Sequence, residues 1–412
     1  MTLINKPVVL LFSIVFLFQL LFIIYLPNKV SSLSISDLIF IIILDLLVVL
    51  SLLFLYIGKI QVFSISLLML VFLNFFTSHL DTTQSDLMKH SANAYDQFII
   101  KGDVMPGFKG INTFSTDSLG FRSNLNINYD EADSYRIFAI GASTTEEVFL
   151  DDKETWTALL EGKLLKNNNG IIEVINTGVA GLRAKHNFST LEFVKSLNPD
   201  LLIFLLGVND WNHQIKFQEH EIVKDDQFDI RKSLLYVGAR SLNSFLNLIN
   251  KKDKKKVREE FGEYYSGQNN TLERDIKKNI EIKSVSDDYS YWMNLITEQC
   301  KTGIFECMFI TQPSAYNLDI ETDLKERLWM TPPNEEYTLT LESMINVSQI
   351  YNDWLISLTN KEDIYLCDVA SELPPTTKIF YDDVHFNELG APVVAQLVTD
   401  CIMDLRSKIY LP

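Results

Sequence analysis

A chain of 412 residues with a net charge of −17 and 47% hydrophobic residues can form one large domain or two ordinary ones. Its acidity repels phosphate backbones and excludes nucleic acid as a partner. The four cysteines form no CxxC or zinc-finger spacing, and no cofactor or metal is expected.

The apolar residues concentrate at the N-terminus. Residues 7–26 carry no charge, 38–57 carry only Asp45, and 60–76 carry none. A bilayer core needs roughly 20 apolar residues, so residues 1–80 are predicted to hold three transmembrane helices. A cleaved signal peptide is the alternative for the first span. No small-residue cleavage site follows it, however, and two more spans do. Asp45 is read as hydrogen-bonded to a neighbouring helix rather than as a functional acid, since no Lys or Arg lies mid-span elsewhere. Lys6 and Lys59 fall on one side of the bilayer and Lys29 on the other. That balance puts the N-terminus in the cytoplasm, and everything after Phe76 on the periplasmic or extracellular side. The lipid bilayer is thus an expected partner. Residues 81–412 carry a net charge of −18.

Residues 81–133 are polar and irregular, with Gly102, Pro106, Gly107, Gly110 and Gly120. They read as a linker that becomes an ordered lead-in at DSLGFRSN. From residue 134 to 412, short apolar runs alternate with helical patterns. The runs are 135–140, 171–175, 201–206, 304–311 and 364–367; the helices are 155–165, 184–197, 289–300, 338–358 and 389–405. Apolar runs without alternation predict strands buried on both faces. Alternating β and α units predict a three-layer α/β/α sandwich around a mainly parallel five-stranded sheet. A charged, helical insertion over the mouth of the site is expected at about 211–288. Its run KKDKKKVREE at 251–260 reads as a solvated helix face, with anionic lipid or acidic glycan as the alternative contact. Cys300 and Cys307 are close enough to bridge in an exported domain, while Cys307 and Cys367 equally suit core strands.

In open parallel sheets, ligands bind beyond the carboxyl ends of the strands. Ser143 follows the first predicted strand, Gly178 and Gly181 the second, Asn209 the third, and Asp382 with His385 the fifth. A serine hydroxyl needs a base to become a nucleophile. His385 is the candidate base, with Asp382 three residues earlier to orient it. The backbone N–H groups of Ser143 and Gly181 and the Asn209 side-chain amide are candidate oxyanion donors. Simpler readings stand beside these. Ser143 would also serve as a helix N-cap, with Glu146 completing a capping box. Asp383 is the alternative partner for His385, and Asn209 fits an Asx turn.

Four segments in order, IGASTT at Ser143, NTGVAG ending at Gly181, GVND at Asn209 and DDVH ending at His385, resemble the four blocks of the SGNH (GDSL) hydrolases. The resemblance covers about residues 112–405, including LGFRSN at 119–124 and TQP at 311–313, which are similar to membrane-anchored bacterial members. One departure is Ala142, where many members have aspartate. The resemblance implies a serine esterase acting through an acyl-enzyme on O-acetyl or other short acyl esters, with an acylated envelope glycan as substrate. An O-acyltransferase modifying a cell-surface polysaccharide with the same triad stays open. So does a non-catalytic envelope assembly or glycan-binding protein on a hydrolase fold. Protein partners are not indicated.

Overall fold

The computed structural model describes residues 87–100, 105–123, 127–129, 134–167, 170–217, 277–330 and 337–406. The three apolar spans, the basic run at 251–260 and most of the 211–288 insertion lie outside these residues. Among the described residues, no helix is long and apolar enough to cross a membrane.

The first elements lie where the sequence suggests an irregular linker. Strands β1 (Tyr95–Ile99) and β2 (Ile111–Ser115) pair antiparallel, with Tyr95 opposite Ser115. Their pattern hides them: β1 buries only Phe98, while β2 exposes Ile111 and buries Asn112. Period-2 reasoning needs a clean apolar face, and neither strand has one.

The five strands predicted from apolar runs are all present. In chain order the main body runs β3 (Ser134–Gly141), α1 (Ser143–Glu146), α2 (Trp156–Asn167), β4 (Ile171–Asn176), α3 (Ala184–Val194), β5 (Leu201–Leu205) and α4 (Val208–Phe217). It continues with β6 (Lys277–Lys278), α5 (Asp287–Thr302), β7 (Glu306–Ile310), β8 (Thr338–Leu339), α6 (Leu341–Glu362), β9 (Tyr365–Cys367) and α7 (Gly390–Arg406). The main sheet has the order β4-β3-β5-β7-β9, and every pairing in it is parallel. The central strand β5, Leu-Leu-Ile-Phe-Leu, is buried at all five positions. Each such side chain contributes about 1.5–3 kcal/mol on leaving water, so this unalternated run is stable only between two helix layers.

The strand order fixes which helix covers which face. The chain steps from β3 outward to β4, then back across β3 to β5 and onward to β7 and β9. Right-handed crossovers therefore place α2 on one face and α3, α5 and α6 on the other. The packing agrees: α2 lies against α7, α3 against α5, and α4 against α6. The direction reverses between β3 and β5, which opens a crevice beyond their carboxyl ends.

The ends of the charged insertion belong to the core. Trp211 and Ile215 are buried on α4 at the insertion's start, Ile282 and Val285 are buried at its far end, and β6 pairs with β8. Two disulfides join the outer elements, Cys300–Cys307 between α5 and β7 and Cys367–Cys401 between β9 and α7. The first is the pair the sequence suggested. The second involves Cys367, for which a plain core role was the alternative.

Candidate active site

Strand β3 ends at Gly141, where a Cβ atom would sit 2.0 Å from Thr145 Oγ1 and 2.8 Å from the Leu205 carbonyl. Glycine is needed there for the turn into α1. Ala142, not Ser143, is the N-cap of that helix, and no side chain caps it. The capping-box reading of Ser143 is thus overturned, because its hydroxyl is engaged elsewhere. Ser143 Oγ lies 2.8 Å from His385 Nε2.

The DxxH spacing has a local cause. Asp382 Oδ1 accepts the backbone N–H groups of Val384 at 3.0 Å and His385 at 2.8 Å, closing a tight turn. The turn brings the imidazole back onto the same carboxylate, with Nδ1 at 2.8 Å from Oδ2. With the proton held on Nδ1, Nε2 is left to accept from the serine. Tyr381 stacks on the imidazole at 5.5 Å. The buried Asn387 amide donates to the Pro106 and Thr377 carbonyls, and its oxygen accepts from Leu389 and Gly390. The loop carrying His385 is thereby tied to the start of α7. Asp383 is not the partner of His385: Tyr316 donates to it.

Electrostatics separates the two acids. Burial opposes the charge on Asp382, but the His385 charge and three hydrogen bonds from His385 and Val384 outweigh it and hold its pKa below the ordinary value. Asp383 is pushed up to about 7 by burial and by the Asp382 charge beside it. Burial disfavours the charged imidazole of His385, yet Asp382, then Asp383 and Glu146, raise its pKa overall.

The predicted oxyanion donors lie on the segments that follow β3, β4 and β5. Gly178 presses on α1, where its Cβ would lie 2.3 Å from the Glu146 nitrogen. Asn176 fixes that approach, donating to the Thr145 carbonyl and accepting from Gly178 N–H. Gly181 has φ +81°, a conformation that glycine adopts without strain. The Asn209 amide donates to the Leu182 carbonyl at 2.9 Å, joining the start of α4 to the loop after β4. Among the described residues, neither the Ser143 nor the Gly181 N–H has an acceptor. Asp210 accepts the Ala184 N–H at the start of α3, and burial pushes its pKa up to about 7.

Sequence reasoning missed two residues of the site and the role of a third. Glu147 lines a narrow pocket with Ser143 and His385. Tyr316 holds Asp383. Arg122, noticed only as part of LGFRSN, is buried and donates to the carbonyls of Glu146, Glu147, Leu150 and Thr113 and to Asp152. Its backbone also pairs with Asn176. A buried arginine has five donors to satisfy, and the end of α1 with the turn after it supplies most of the acceptors. Among the described residues, no His/Cys/Asp/Glu group is arranged to hold a metal ion.

No family model matches the chain, and no curated protein matches it. Solved structures similar to it include an acetyl xylan esterase at 15% identity, covering 65% of this chain and 99% of the other, with a TM-score of 0.37. An acetylxylan esterase from Geobacillus stearothermophilus matches at 13% identity over 65% of this chain and 94% of its own, with a TM-score of 0.36. A member of the lipolytic G-D-S-L family from Veillonella parvula matches at 10% identity over 67% and 100%, with a TM-score of 0.35. Likeness at this level carries no weight for activity.

Proposed function

We propose that the chain is a serine esterase of the SGNH type, anchored by the apolar spans of residues 1–80. The observation that carries this reading is the relay Ser143 Oγ to His385 Nε2, and His385 Nδ1 to Asp382, at 2.8 Å in both steps. His385 takes the serine proton as Oγ attacks an ester carbonyl. The Ser143 and Gly181 N–H groups, with the Asn209 amide, receive the oxyanion. Collapse of the tetrahedral intermediate expels the alcohol, which takes the proton from His385 and leaves an acyl-serine. Water, deprotonated by the same histidine, then releases the acid and restores Ser143.

The substrate belongs to the same proposal. The apolar spans and the lysine balance support a site on the periplasmic or extracellular face, and two disulfides suit that compartment. An O-acetyl or other short acyl ester on an envelope glycan is the substrate class that such a site would meet.

A fluorophosphonate probe tests the nucleophile. The full-length protein should be labelled, and Ser143→Ala should abolish labelling and cut ester hydrolysis by about 10⁴-fold or more. Labelling of Ser143→Ala equal to wild type would sink the assignment. Incubation with an acetyl ester and an oligosaccharide should release free acetate. Acetylated sugar as the main product would make the protein an acyltransferase instead.

A further inference from the structure

The loop that carries the Gly181 N–H is held by hydrogen bonds rather than by packing. Gly181 is exposed, and a Cβ placed on it would meet nothing within 4 Å. The residues that follow are tied in turn. Leu182 N–H donates to the Val179 carbonyl at 3.3 Å, and Arg183 N–H donates to His186 Nδ1 at 3.1 Å. Ala184 N–H donates to Asp210, at 3.2 Å from Oδ1 and 3.1 Å from Oδ2. The Leu182 carbonyl accepts from the Asn209 amide. Two neighbours on the first turn of α4 thus grip the loop on either side of Arg183. Asn209 spends one amide hydrogen on that grip and keeps the other. Asp210 is buried, and the Arg183 guanidinium goes to Asp288 instead. Burial pushes the Asp210 pKa up to about 7. A buried acid without a salt bridge is costly to a fold, so its presence here points to a task beyond packing.

We propose that Asp210 is a positioning residue for ester hydrolysis: through the Ala184 N–H it holds the loop after β4 so that the Gly181 N–H stays aimed at the oxyanion. The proposal rests on the assignment of Ser143 as nucleophile and of Gly181 as an oxyanion donor. Asp210 touches no reacting atom in this scheme and acts only through the backbone. A glycine with φ +81° and nothing packed against it swings easily about its own dihedrals. Its N–H therefore points wherever the anchored residues after it direct. Oxyanion donors act only when they are preorganised, and a misplacement of about 1 Å costs about 10²-fold in rate. Asn209 fixes one side of Arg183 and Asp210 the other. Both protonation states of the carboxyl leave an oxygen to accept the Ala184 N–H, and the charged one accepts more strongly.

The test uses the full-length, detergent-solubilised protein as wild type, Asp210→Asn and Asp210→Ala, each taken as its folded, monodisperse fraction. Assays run at about pH 8.5, above the Asp210 pKa of about 7. With 4-nitrophenyl acetate, kcat and KM are read separately. A trifluoromethyl ketone, whose adduct on a serine carries an oxyanion, gives Ki. In Asp210→Ala, kcat should fall about 10²-fold while KM stays within about twofold, and Ki should rise by a factor like that in kcat. Asp210→Asn keeps an uncharged, weaker acceptor and should fall between, about threefold below wild type in kcat. A merely structural role shrinks the active fraction and leaves Ki where it was, so an unchanged Ki in a folded variant overturns the proposal. If Asp210→Ala gives no folded fraction, the isosteric Asp210→Asn decides, and kcat and Ki equal to wild type overturn the proposal. Wild type inhibited by the ketone, with both variants inhibited equally well, removes this inference alone. Wild type that is neither inhibited nor labelled by fluorophosphonate removes the hydrolase reading with it.

Discussion

His385 can act as a base only while its ring is uncharged. Its pKa is raised, so kcat/KM should fall as the pH drops through a value above 6.5, its ordinary pKa. Asp382 is the strongest of the groups that favour the charged ring. In Asp382→Asn the acid limb of the profile should move to lower pH, and kcat should drop by about 10⁴-fold, because the amide no longer holds the proton on Nδ1. A pH–rate profile of both proteins checks this, and coincident acid limbs would refute the pairing. These residues were legible in the sequence because they come after the last apolar run, and because the DxxH spacing is enforced by one backbone turn. Glu147 was not legible. An acid following another acid reads as a solvated helix end, and only the three-dimensional wall of phenylalanines shows it to be buried.

At the scale of elements, the turn after α1 is held by Arg122. Four carbonyls and one carboxylate share its guanidinium. Arg122→Ala should lower stability by about 3 kcal/mol and reduce kcat, because it strips buried acceptors of their donor and loosens Glu146 and Glu147 behind Ser143. Arg122→Lys should rescue little, since an ammonium group cannot span the same fork. Thermal melts with activity measurements check both; a stable, fully active Arg122→Ala would contradict the arrangement. Strands buried on both faces were readable from unalternated apolar runs. The β1–β2 hairpin was not, because its exposed Ile111 and buried Asn112 invert the expected pattern. The α5 and α6 boundaries differ from the sequence reading by two or three residues at their starts, where Ser286 and Thr340 cap the helices with side-chain hydrogen bonds.

For the molecule as a whole, the two disulfides close loops of unequal length. Cys367 and Cys401 are 34 residues apart, Cys300 and Cys307 only 7. Loop-closure entropy then predicts about 4 kcal/mol of stabilisation from the first and about 2 kcal/mol from the second. Replacing both cysteines of Cys367–Cys401 by alanine should lower Tm more than the same change at Cys300–Cys307; the reverse order would count against this account. The Cys367–Cys401 bond was hidden in the sequence, since a cysteine in an apolar strand looks like any core residue until the last helix returns to it. The proposed anchor makes a separate prediction. A topology reporter fused at the C-terminus should read as periplasmic or extracellular, and a cytoplasmic signal would remove the envelope glycan as substrate while leaving the triad untouched.

The backbone pairing of Arg122 with Asn176 bears on where this protein can be cut. A soluble fragment begun at residue 134, the first residue of β3, would contain Ser143, Asp382 and His385. It would lack Arg122, and it would lack Phe108, which lies beside Ser143 and His385. The smallest active piece should therefore begin before the β1–β2 hairpin, with the stretch that looks like a tether retained as part of the enzyme.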